Sequence, residues 1–169
     1  ALGAEDGPLL TRGAAAVGDR IAVTGHIGCS AAGLRMRSQM PDLDRETADH
    51  LREAHNRPVP RVAEGLVLAE RGVLCGMDVS DGLVDDLGKV CNASGVGAVV
   101  RADSVPADDF LKRAFPDGWP ELSLAGGEDY ELLFTAPQAV MDEVVPLLDC
   151  TVATIGDIVA GPSEVKVVD

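Results

Sequence analysis

Residues 78 to 86 read DVSDGLVDD and place four aspartates within nine positions. Asp78, Ser80 and Asp81 together offer hard oxygen ligands of the kind that Mg²⁺ takes while it keeps waters and a phosphate oxygen. Carboxylates this close raise one another's energy unless a cation lies between them. We therefore expect Asp78 and Asp81 to share a divalent metal ion.

A simpler interpretation of the same stretch is a helix cap. Asp78 is predicted at the end of a strand, and Ser80 and Asp81 at the start of a helix, where free backbone N–H groups stabilise anions. Either Ser80 or Asp81 alone would suffice as an N-cap. Asp85 and Asp86 are weaker metal candidates, because both are predicted on the polar, solvated face of the helix.

A second acidic stretch, LAGGEDYELLFT, occupies residues 124 to 135. Gly126 and Gly127 predict a tight turn between two strands, with Glu128 and Asp129 at its tip. The simpler interpretation is an ordinary hairpin whose turn residues happen to be acidic. The spacing of these residues leaves both interpretations open.

A third stretch, VTGHIGCSAAGL at residues 23 to 34, predicts a glycine turn from a strand into a helix. It has neither the GK[ST] of a P-loop nor the spacing of GxGxxG, so it is a weak phosphate signature. Close packing of the strand against the helix explains its glycines equally well.

The elements that must position these residues alternate between strand-like and helix-like patterns. Ile21 and Val23 indicate one face of a strand, and Leu83, Leu87 and Val90 recur at helical spacing. The predicted strands are DRIAVTG, VLCGMDV, AVVRA, ELSLA, YELLFT, TVATIGDIV and SEVKVVD. The predicted helices are SAAGLRMRSQM, RETADHLREAHN, RVAEGLVLAERG and LVDDLGKVCNASG, with QAVMDEVVPLL as the one clear helix of the second half. Because strands and helices do not alternate strictly, we expect an α+β fold with a mixed sheet layer and helices packed on it.

Composition and charge exclude some classes of binding partner. The chain has 169 residues, 46% of them hydrophobic, which predicts a single domain with a real core. Its formal charge of −14 would repel a nucleic-acid backbone or an anionic membrane, so neither is an expected partner. Phosphate chemistry on such a surface needs metal cations such as Mg²⁺. The sequence has no apolar run long enough to span a bilayer and no signal-peptide pattern at its start, so we expect a cytoplasmic protein.

Cysteine and histidine spacing predicts no further site. The four cysteines, at positions 29, 75, 91 and 150, contain no CxxC pair, which favours neither a zinc site nor a disulfide framework. Cys75 and Cys91 are expected to be reduced and buried. The three histidines, at positions 26, 50 and 55, have no recognised metal-binding spacing, so a histidine-based site is not expected.

Four segments in order carry a resemblance to a known family: TRGAAAVGDRIAVTGHIGCSAAGL, RPVPR, MDVSDGLVDDLG and LAGGEDYELLFTAP. Together they resemble the C-terminal domain of the thiamine-monophosphate kinase family, within the aminoimidazole-ribonucleotide synthetase superfamily. The resemblance extends from Ala1 to about Pro137. The pair DVSDGL and GGEDYELLF makes it specific among the related families.

The resemblance implies an activity. Members of this family transfer the γ-phosphoryl group of ATP to thiamine monophosphate with Mg²⁺, which yields thiamine diphosphate. They bind ATP and metals in a cleft between an N-terminal and a C-terminal domain and dimerise mainly through the former. Residues 1–169 are then expected to be the C-terminal half of a two-domain kinase, without its N-terminal domain and extreme C-terminus. Such a half would fold but would not catalyse alone.

The resemblance also implies roles for individual residues. Asp78 and Asp81 are expected to be metal ligands, Ser80 and Arg12 ATP contacts, and Glu128 a contact to thiamine monophosphate. Arg12 corresponds to the arginine of the family's RSGA stretch, although a different sequence follows it here. No catalytic base is expected, because the acceptor is a phosphate monoester whose second pKa near ~6 leaves it deprotonated at neutral pH.

Two other classes of function stay open. Another ATP-dependent enzyme of the same superfamily would share the fold and the metal motif but should lack GGEDYELLF. A non-catalytic module that binds only a metal or a partner protein is the second alternative.

Overall fold

The computed structural model describes residues 7–39 and 42–169. Residues 1–6 of the expected domain lie outside the described residues, as does Met40 at the end of the first predicted helix.

Six strands and seven α-helices are present in the described part of the chain. The strands are β1 (Arg20–Thr24), β2 (Cys75–Asp78), β3 (Gly97–Arg101), β4 (Leu132–Ala136), β5 (Val152–Val159) and β6 (Val165–Val168). The helices are α1 (Cys29–Gln39), α2 (Arg45–Asn56), α3 (Val62–Glu70), α4 (Leu83–Ser94), α5 (Asp109–Ala114), α6 (Trp119–Ala125) and α7 (Gln138–Val144). Short 3₁₀ turns follow β3 and α7.

The six strands form one mixed sheet in the order β2-β4-β1-β5-β3-β6. All neighbouring pairs are antiparallel except β3 and β6, which run parallel. The expectation of an α+β fold with a mixed sheet layer is therefore confirmed. The edge strand β2 pairs with β4, so Asp78 at the end of β2 lies opposite Leu132 at the start of β4, and Cys75 of β2 also forms a bridge to Thr11.

Alternation along the strands sends side chains to two apolar layers. Ile21 and Val23 pack on one face of the sheet with Leu83 and Leu87 of α4, whereas Ala22 between them faces the other layer. That second layer contains Leu68 of α3 and residues of α7. Burial of these side chains stabilises the domain by roughly 25 cal/mol for each Å² of apolar surface removed from water.

A third apolar cluster lies among the helices α1, α2, α5 and α6. It is built from Cys29, Ala32, Leu51, Ala107, Leu111, Ala114, Phe115 and Leu122. Two of these helices have an aspartate as N-cap. The Asp44 side chain accepts from the Thr47 N–H at the start of α2, and the Asp108 side chain accepts from the Phe110 N–H at the start of α5. These caps satisfy backbone donors that a helix start leaves free.

Three predictions about the second half were wrong. ELSLA is the C-terminal part of helix α6 and not a strand, because Leu122 packs into the helical cluster and Leu124 against the sheet. Helices α5 and α6 also lie in this half, so the prediction that QAVMDEVVPLL is its one clear helix was wrong. Gly126 and Gly127 connect α6 to β4, so the predicted hairpin is a helix-to-strand turn.

Cys75 and Cys91 are buried as predicted.

Over residues 7–39 and 42–169, we find no helix with the length and apolar character required to span a membrane.

Candidate functional site

The two acidic loops lie against each other at one end of the β2–β4 pair. The Val79 N–H donates to the Glu131 carbonyl at 2.8 Å, and the Tyr130 N–H donates to the Val79 carbonyl at 2.9 Å. The Glu128 N–H donates to the Ser80 carbonyl at 2.9 Å. A Cβ atom at Gly127 would lie 2.5 Å from the Ser80 carbonyl oxygen, so only glycine permits this approach. Segments separated by about fifty residues thus form one surface.

Three exposed carboxylates, those of Asp78, Asp81 and Glu128, lie close enough to the Tyr130 hydroxyl for their charges to act on it. The Tyr130 hydroxyl donates to Glu128 Oε2 at 3.0 Å. This hydrogen bond, the charge of Glu128 and the charges of Asp78 and Asp81 together raise the pKa of the Tyr130 hydroxyl. The structure therefore brings the two predicted metal ligands and the predicted substrate contact to one acidic surface.

The backbone of the second loop is strained. Glu128 has a φ of 69° and Tyr130 a φ of 53°, values in the left-handed region that residues with a Cβ seldom adopt. Backbone outliers of this kind persist only where surrounding contacts impose them, and they concentrate at ligand sites. Here the β2–β4 ladder and the buried Asp129 between the two residues impose the conformation.

Asp86 corrects the sequence interpretation of the first loop. Its side chain is fully buried, and its Oδ2 accepts from the N–H groups of Ser80 at 2.8 Å, Asp81 at 2.9 Å and Gly82 at 3.3 Å. The predicted solvated position is therefore wrong for Asp86, although Asp85 is exposed as predicted. The N-cap of α4 is Gly82, so neither Ser80 nor Asp81 caps this helix. The DVSDG loop wraps around the Asp86 carboxylate.

Lys89 shows that this acidic cluster takes up positive charge. Its ammonium group contacts a carboxylate oxygen of Asp81, lies 2.7 Å from Asp86 and lies 3.2 Å from Asp85. These hydrogen bonds, that to Asp81 first, raise the pKa of Lys89 above its ordinary value. Oxygen atoms of the three aspartates all lie within 4.8 Å of one another. The donor set consists of carboxylates alone, which fits a hard cation such as Mg²⁺.

Asp129 anchors the acidic loop to the glycine turn before α1. Its Oδ2 accepts from the Gly28 N–H at 2.7 Å, and its Oδ1 accepts from the Ser30 N–H at 3.1 Å. Burial raises the pKa of Asp129 to about 7, while these two hydrogen bonds act in the opposite direction. The glycine turn therefore directs two N–H groups at a carboxylate of its own chain, which is a packing role and not a phosphate cradle.

Glu131 joins the same loop to α3 and β1. Arg61 donates to it through Nε at 2.6 Å and Nη2 at 2.8 Å, and the Thr24 hydroxyl donates at 2.5 Å. The side chains of Arg61 and Glu131 are only 17% and 10% exposed. A Cβ atom at Gly25 would lie 2.0 Å from Glu131 Oε1. The arginine that ends RPVPR thus holds the second acidic loop from behind.

The predicted ATP contacts are separated in this domain. Ser80 lies in the DVSDG loop, but the Arg12 carbonyl accepts from the Ser94 hydroxyl at the far end of α4. Thr11 pairs with Cys75, and the Arg12 carbonyl also accepts from the Cys75 thiol, so Arg12 lies beside the end of β2 that is remote from Asp78. The Arg12 side chain is exposed. The Arg12 backbone and Ser80 therefore lie toward opposite ends of β2.

A cavity of about 610 Å³ borders the acidic surface. It is lined on one side by Gly126, Gly127 and Glu128, and on the other by Leu34 and Arg35 of α1. Its volume lies within the range that small-molecule sites occupy. Sequence patterns did not predict this cavity, because residues of α1 and α6, which are distant in the chain, line it together.

Two of the unpredicted residues carried a signal in the sequence. Asp86 lies in the first helical turn after a glycine, where a carboxylate is favoured by free N–H groups. Arg61 belongs to RPVPR, which was recognised only as part of the family resemblance. An arginine directly after a proline, at the first position of a predicted helix on a chain rich in carboxylates, is the clue that the sequence offers to this ion pair.

The mixed sheet, its helical layers and the paired acidic loops define an α+β domain with a carboxylate surface suited to cations. The chain belongs to the family described as AIR synthase related protein, C-terminal domain, whose model matches residues 16–169.

Similar proteins agree on one subgroup of this family. The thiamine-monophosphate kinase of Salmonella typhimurium is 43% identical over 134 residues, which is 78% of this chain and 41% of that protein. The thiamine-monophosphate kinase of Bacillus subtilis is 36% identical over 135 residues, with the same shares. The chain thus spans about two fifths of the length of these curated relatives.

Solved structures agree with the fold. Thiamine-monophosphate kinase from Stenotrophomonas maltophilia matches with a TM-score of 0.85 and 36% identity, over 94% of this chain and 52% of that one. AaThiL complexed with AMPPCP and TMP matches with a TM-score of 0.82 and 31% identity, over 94% and 50%. The hydrogenase maturation protein HypE in complex with ATP, at 14% identity and a TM-score of 0.69, shares the fold alone.

Proposed function

We propose that this chain is the C-terminal domain of an enzyme that phosphorylates thiamine monophosphate to thiamine diphosphate with ATP. One structural observation carries the proposal: the DVSDG and GGEDY loops meet at the Ser80–Glu128 backbone hydrogen bond of 2.9 Å. A surface for metal and phosphate and a surface for the acceptor thereby become adjacent. The names of the similar kinases, and the AMPPCP and TMP bound by AaThiL, support the same reaction.

The chemistry requires charge screening more than proton transfer. The acceptor phosphate is already ionised at neutral pH, so the reaction needs no general base. Two unit charges about 4 Å apart repel by roughly 4 kcal/mol at an effective dielectric constant of about 20. Phosphoryl transfer is largely positioning and electrostatic stabilisation, which an acidic surface provides when it holds cations.

Asp78 and Asp81 would hold Mg²⁺, and the ion would screen the phosphate charges when bound. Both side chains are exposed carboxylates, and Lys89 already lies on Asp81. A cation at this loop is therefore favourable in the folded protein. Asp86 keeps the loop in place through its three backbone N–H contacts. Ser80 presents its hydroxyl beside these ligands to ATP.

Glu128 would recognise the acceptor. It borders the cavity of about 610 Å³, and its side chain is exposed. A carboxylate suits the cationic thiazolium or the aminopyrimidine of thiamine better than it suits a phosphate. The Tyr130 hydroxyl, which donates to Glu128, helps to orient that carboxylate.

The remaining parts of the site would come from an N-terminal domain of the same protein. As an ATP contact, the exposed Arg12 side chain would act at the interface with that domain. We propose residues 1–169 as one domain of a two-domain kinase that dimerises mainly through its N-terminal domain. The use of ATP supports the expected cytoplasmic location.

The test is an assay of the full-length protein with Mg²⁺, ATP and thiamine monophosphate, in which thiamine diphosphate and ADP are measured in equal amounts. Unphosphorylated thiamine is the matched acceptor control and should yield no product. The 169-residue chain alone should be inactive, because one carboxylate surface cannot screen both substrates. Consumption of ATP without formation of thiamine diphosphate would favour another enzyme of the superfamily. Absence of ATP turnover would favour a non-catalytic binding module.

A further inference from the structure

We propose that Cys29, His50 and Asp108 bind a structural transition-metal ion, with Zn²⁺ the best match, and that His26 or a water completes the coordination. The three side chains come from α1, α2 and the cap of α5, and one ligand atom from each lies within 4.8 Å of the others. This site uses none of the residues of the carboxylate surface.

The distances between the proposed ligand atoms suit a tetrahedrally coordinated ion after a small inward movement of the side chains. Zinc bonds of about 2.0–2.3 Å place neighbouring ligand atoms about 3.3–3.6 Å apart at tetrahedral angles. His50 Nε2 lies 3.4 Å from Asp108 Oδ2, and His26 Nδ1 lies 3.8 Å from the same oxygen. The sulfur of Cys29 lies within 4.8 Å of both His50 and Asp108 ligand atoms, so it needs to move toward them by no more than about 1 Å.

The ligands are already oriented by their other contacts. Asp108 uses Oδ1 to accept from the Phe110 N–H at 2.6 Å, which leaves Oδ2 facing the two histidines. The His50 ring stacks on Phe110 with centroids 4.3 Å apart. Such outer contacts fix the direction of a ligand and are typical of metal sites.

The Asp108 carboxylate, two histidines and a buried thiol converge without a permanent positive charge among them. The Asp108 side chain is only 14% exposed, and among the described residues its ion-pair partners are histidines, with neither a lysine nor an arginine. Cys29 is 5% exposed and faces the charges of Asp108 and Asp129. A simple aspartate–histidine pair would explain the histidines but not the convergence of the thiol.

The mixture of sulfur, nitrogen and oxygen ligands selects the metal. Mg²⁺ prefers oxygen ligands alone, whereas thiolate and imidazole favour Zn²⁺ and neighbouring transition metals. A cavity of about 260 Å³ borders these side chains and gives an ion a route to them. The bound ion would tie α1, α2 and α5 together beside the turn that Asp129 anchors.

Cobalt is the probe for this proposal, because Co²⁺ bound to a thiolate has a charge-transfer absorption band. The full-length protein is stripped with a chelator, returned to excess Mg²⁺ under a non-thiol reductant, and titrated with Co²⁺. The excess Mg²⁺ occupies the sites made of carboxylates alone. We expect one Co²⁺ per chain with the thiolate band, and loss of that band when Zn²⁺ is added.

Matched variants assign the band to these residues. Cys29→Ser should abolish it, whereas Cys150→Ser, at a cysteine outside the cluster, should retain it. His50→Gln and Asp108→Asn should each weaken Co²⁺ binding at least about tenfold, whereas His55→Gln on the same helix should not. Asn can still cap α5, so Asp108→Asn tests the ligand without removing the cap. A wild-type protein without the band, or a band that persists in Cys29→Ser, would overturn the proposal.

Discussion

Arg61 and Glu131 form a bidentate ion pair behind the second acidic loop, with N···O distances of 2.6 and 2.8 Å. Seventy positions separate the two residues in the chain. Their pairing raises the pKa of Arg61, and it fixes the base of the loop whose tip carries Glu128. The position of the proposed substrate contact therefore depends on a buried contact that does not touch substrate.

Removal of one partner of this pair should destabilise the domain strongly. Arg61→Ala leaves the Glu131 carboxylate buried without its cation, and we expect a loss of about 3–5 kcal/mol in the free energy of unfolding. Arg61→Lys should recover only part of it, because an ammonium group cannot form the bidentate contact. Chemical denaturation measures the free energy of unfolding of both variants and of the wild type. Arg57→Ala, at an exposed arginine paired with Glu53 in the same region, is the control and should change little.

The buried Asp86 should matter for stability, whereas its neighbour Asp85 should not. Asp86→Ala leaves three backbone N–H groups without their acceptor, for an expected loss of about 2–3 kcal/mol. Asp85→Ala removes an exposed carboxylate one position earlier and should leave the midpoint of denaturation in place. Equal effects of the two substitutions would contradict the assignment of Asp86 as the centre of the DVSDG loop.

The raised pKa of Asp129 predicts a pH dependence of stability. Its ordinary value is 3.8 and its folded value about 7, so the folded state binds more protons than the unfolded state between those values. The contribution of Asp129 is therefore most favourable near pH 4 and is lost as the pH rises toward 7. The free energy of unfolding, measured from pH 4 to 8 with chelator present, should decrease with rising pH. The decrease should be steeper in the wild type than in Asp129→Asn. Identical slopes in the two proteins would show that Asp129 is ionised throughout.

Asp81→Asn should remove most phosphoryl transfer and leave the fold intact. The side chain is 63% exposed, so its loss does not disturb the core. As a proposed metal ligand it stabilises charge in the transition state, and we expect kcat to fall roughly 100-fold or more. Steady-state assays of the full-length protein check this, with Asp117→Asn as an exposed control. Turnover at the wild-type rate in Asp81→Asn would remove this residue from the metal site.

Glu128→Gln should impair recognition of thiamine monophosphate more than that of ATP. The variant retains the size of the side chain and loses the charge that would attract the thiamine ring. We expect the KM for thiamine monophosphate to rise more than the KM for ATP. Kinetics with each substrate varied in turn distinguish the two, and Glu121→Gln, at an exposed glutamate of α6 that also lines the cavity, is the comparison. An effect confined to ATP would reverse the proposed roles of Glu128 and the DVSDG loop.

Local patterns in the sequence were sufficient for most elements and for the identity of the acidic loops. The strand that contains Ile21 and Val23 and the helix that contains Leu83 and Leu87 are apparent from their periodicity, because each buries one face. Glycines beside the acidic residues predicted close turns. ELSLA was misread as a strand because five residues with alternating leucines fit either period, and only packing against the helical cluster decides between them.

Contacts between distant residues were decided by the tertiary structure alone. Asp86 and Asp85 are equally polar in the sequence, yet the turn of α4 buries one beneath the DVSDG loop and leaves the other in water. The Arg61–Glu131 pair and the cluster of Cys29, His50 and Asp108 likewise join separate elements. Periodicity reports which side of an element is buried, but it carries no information about which other element packs there. That information arises only when the sheet and the helices come together, and it determines which of the many carboxylates contact backbone N–H groups, an arginine or histidines.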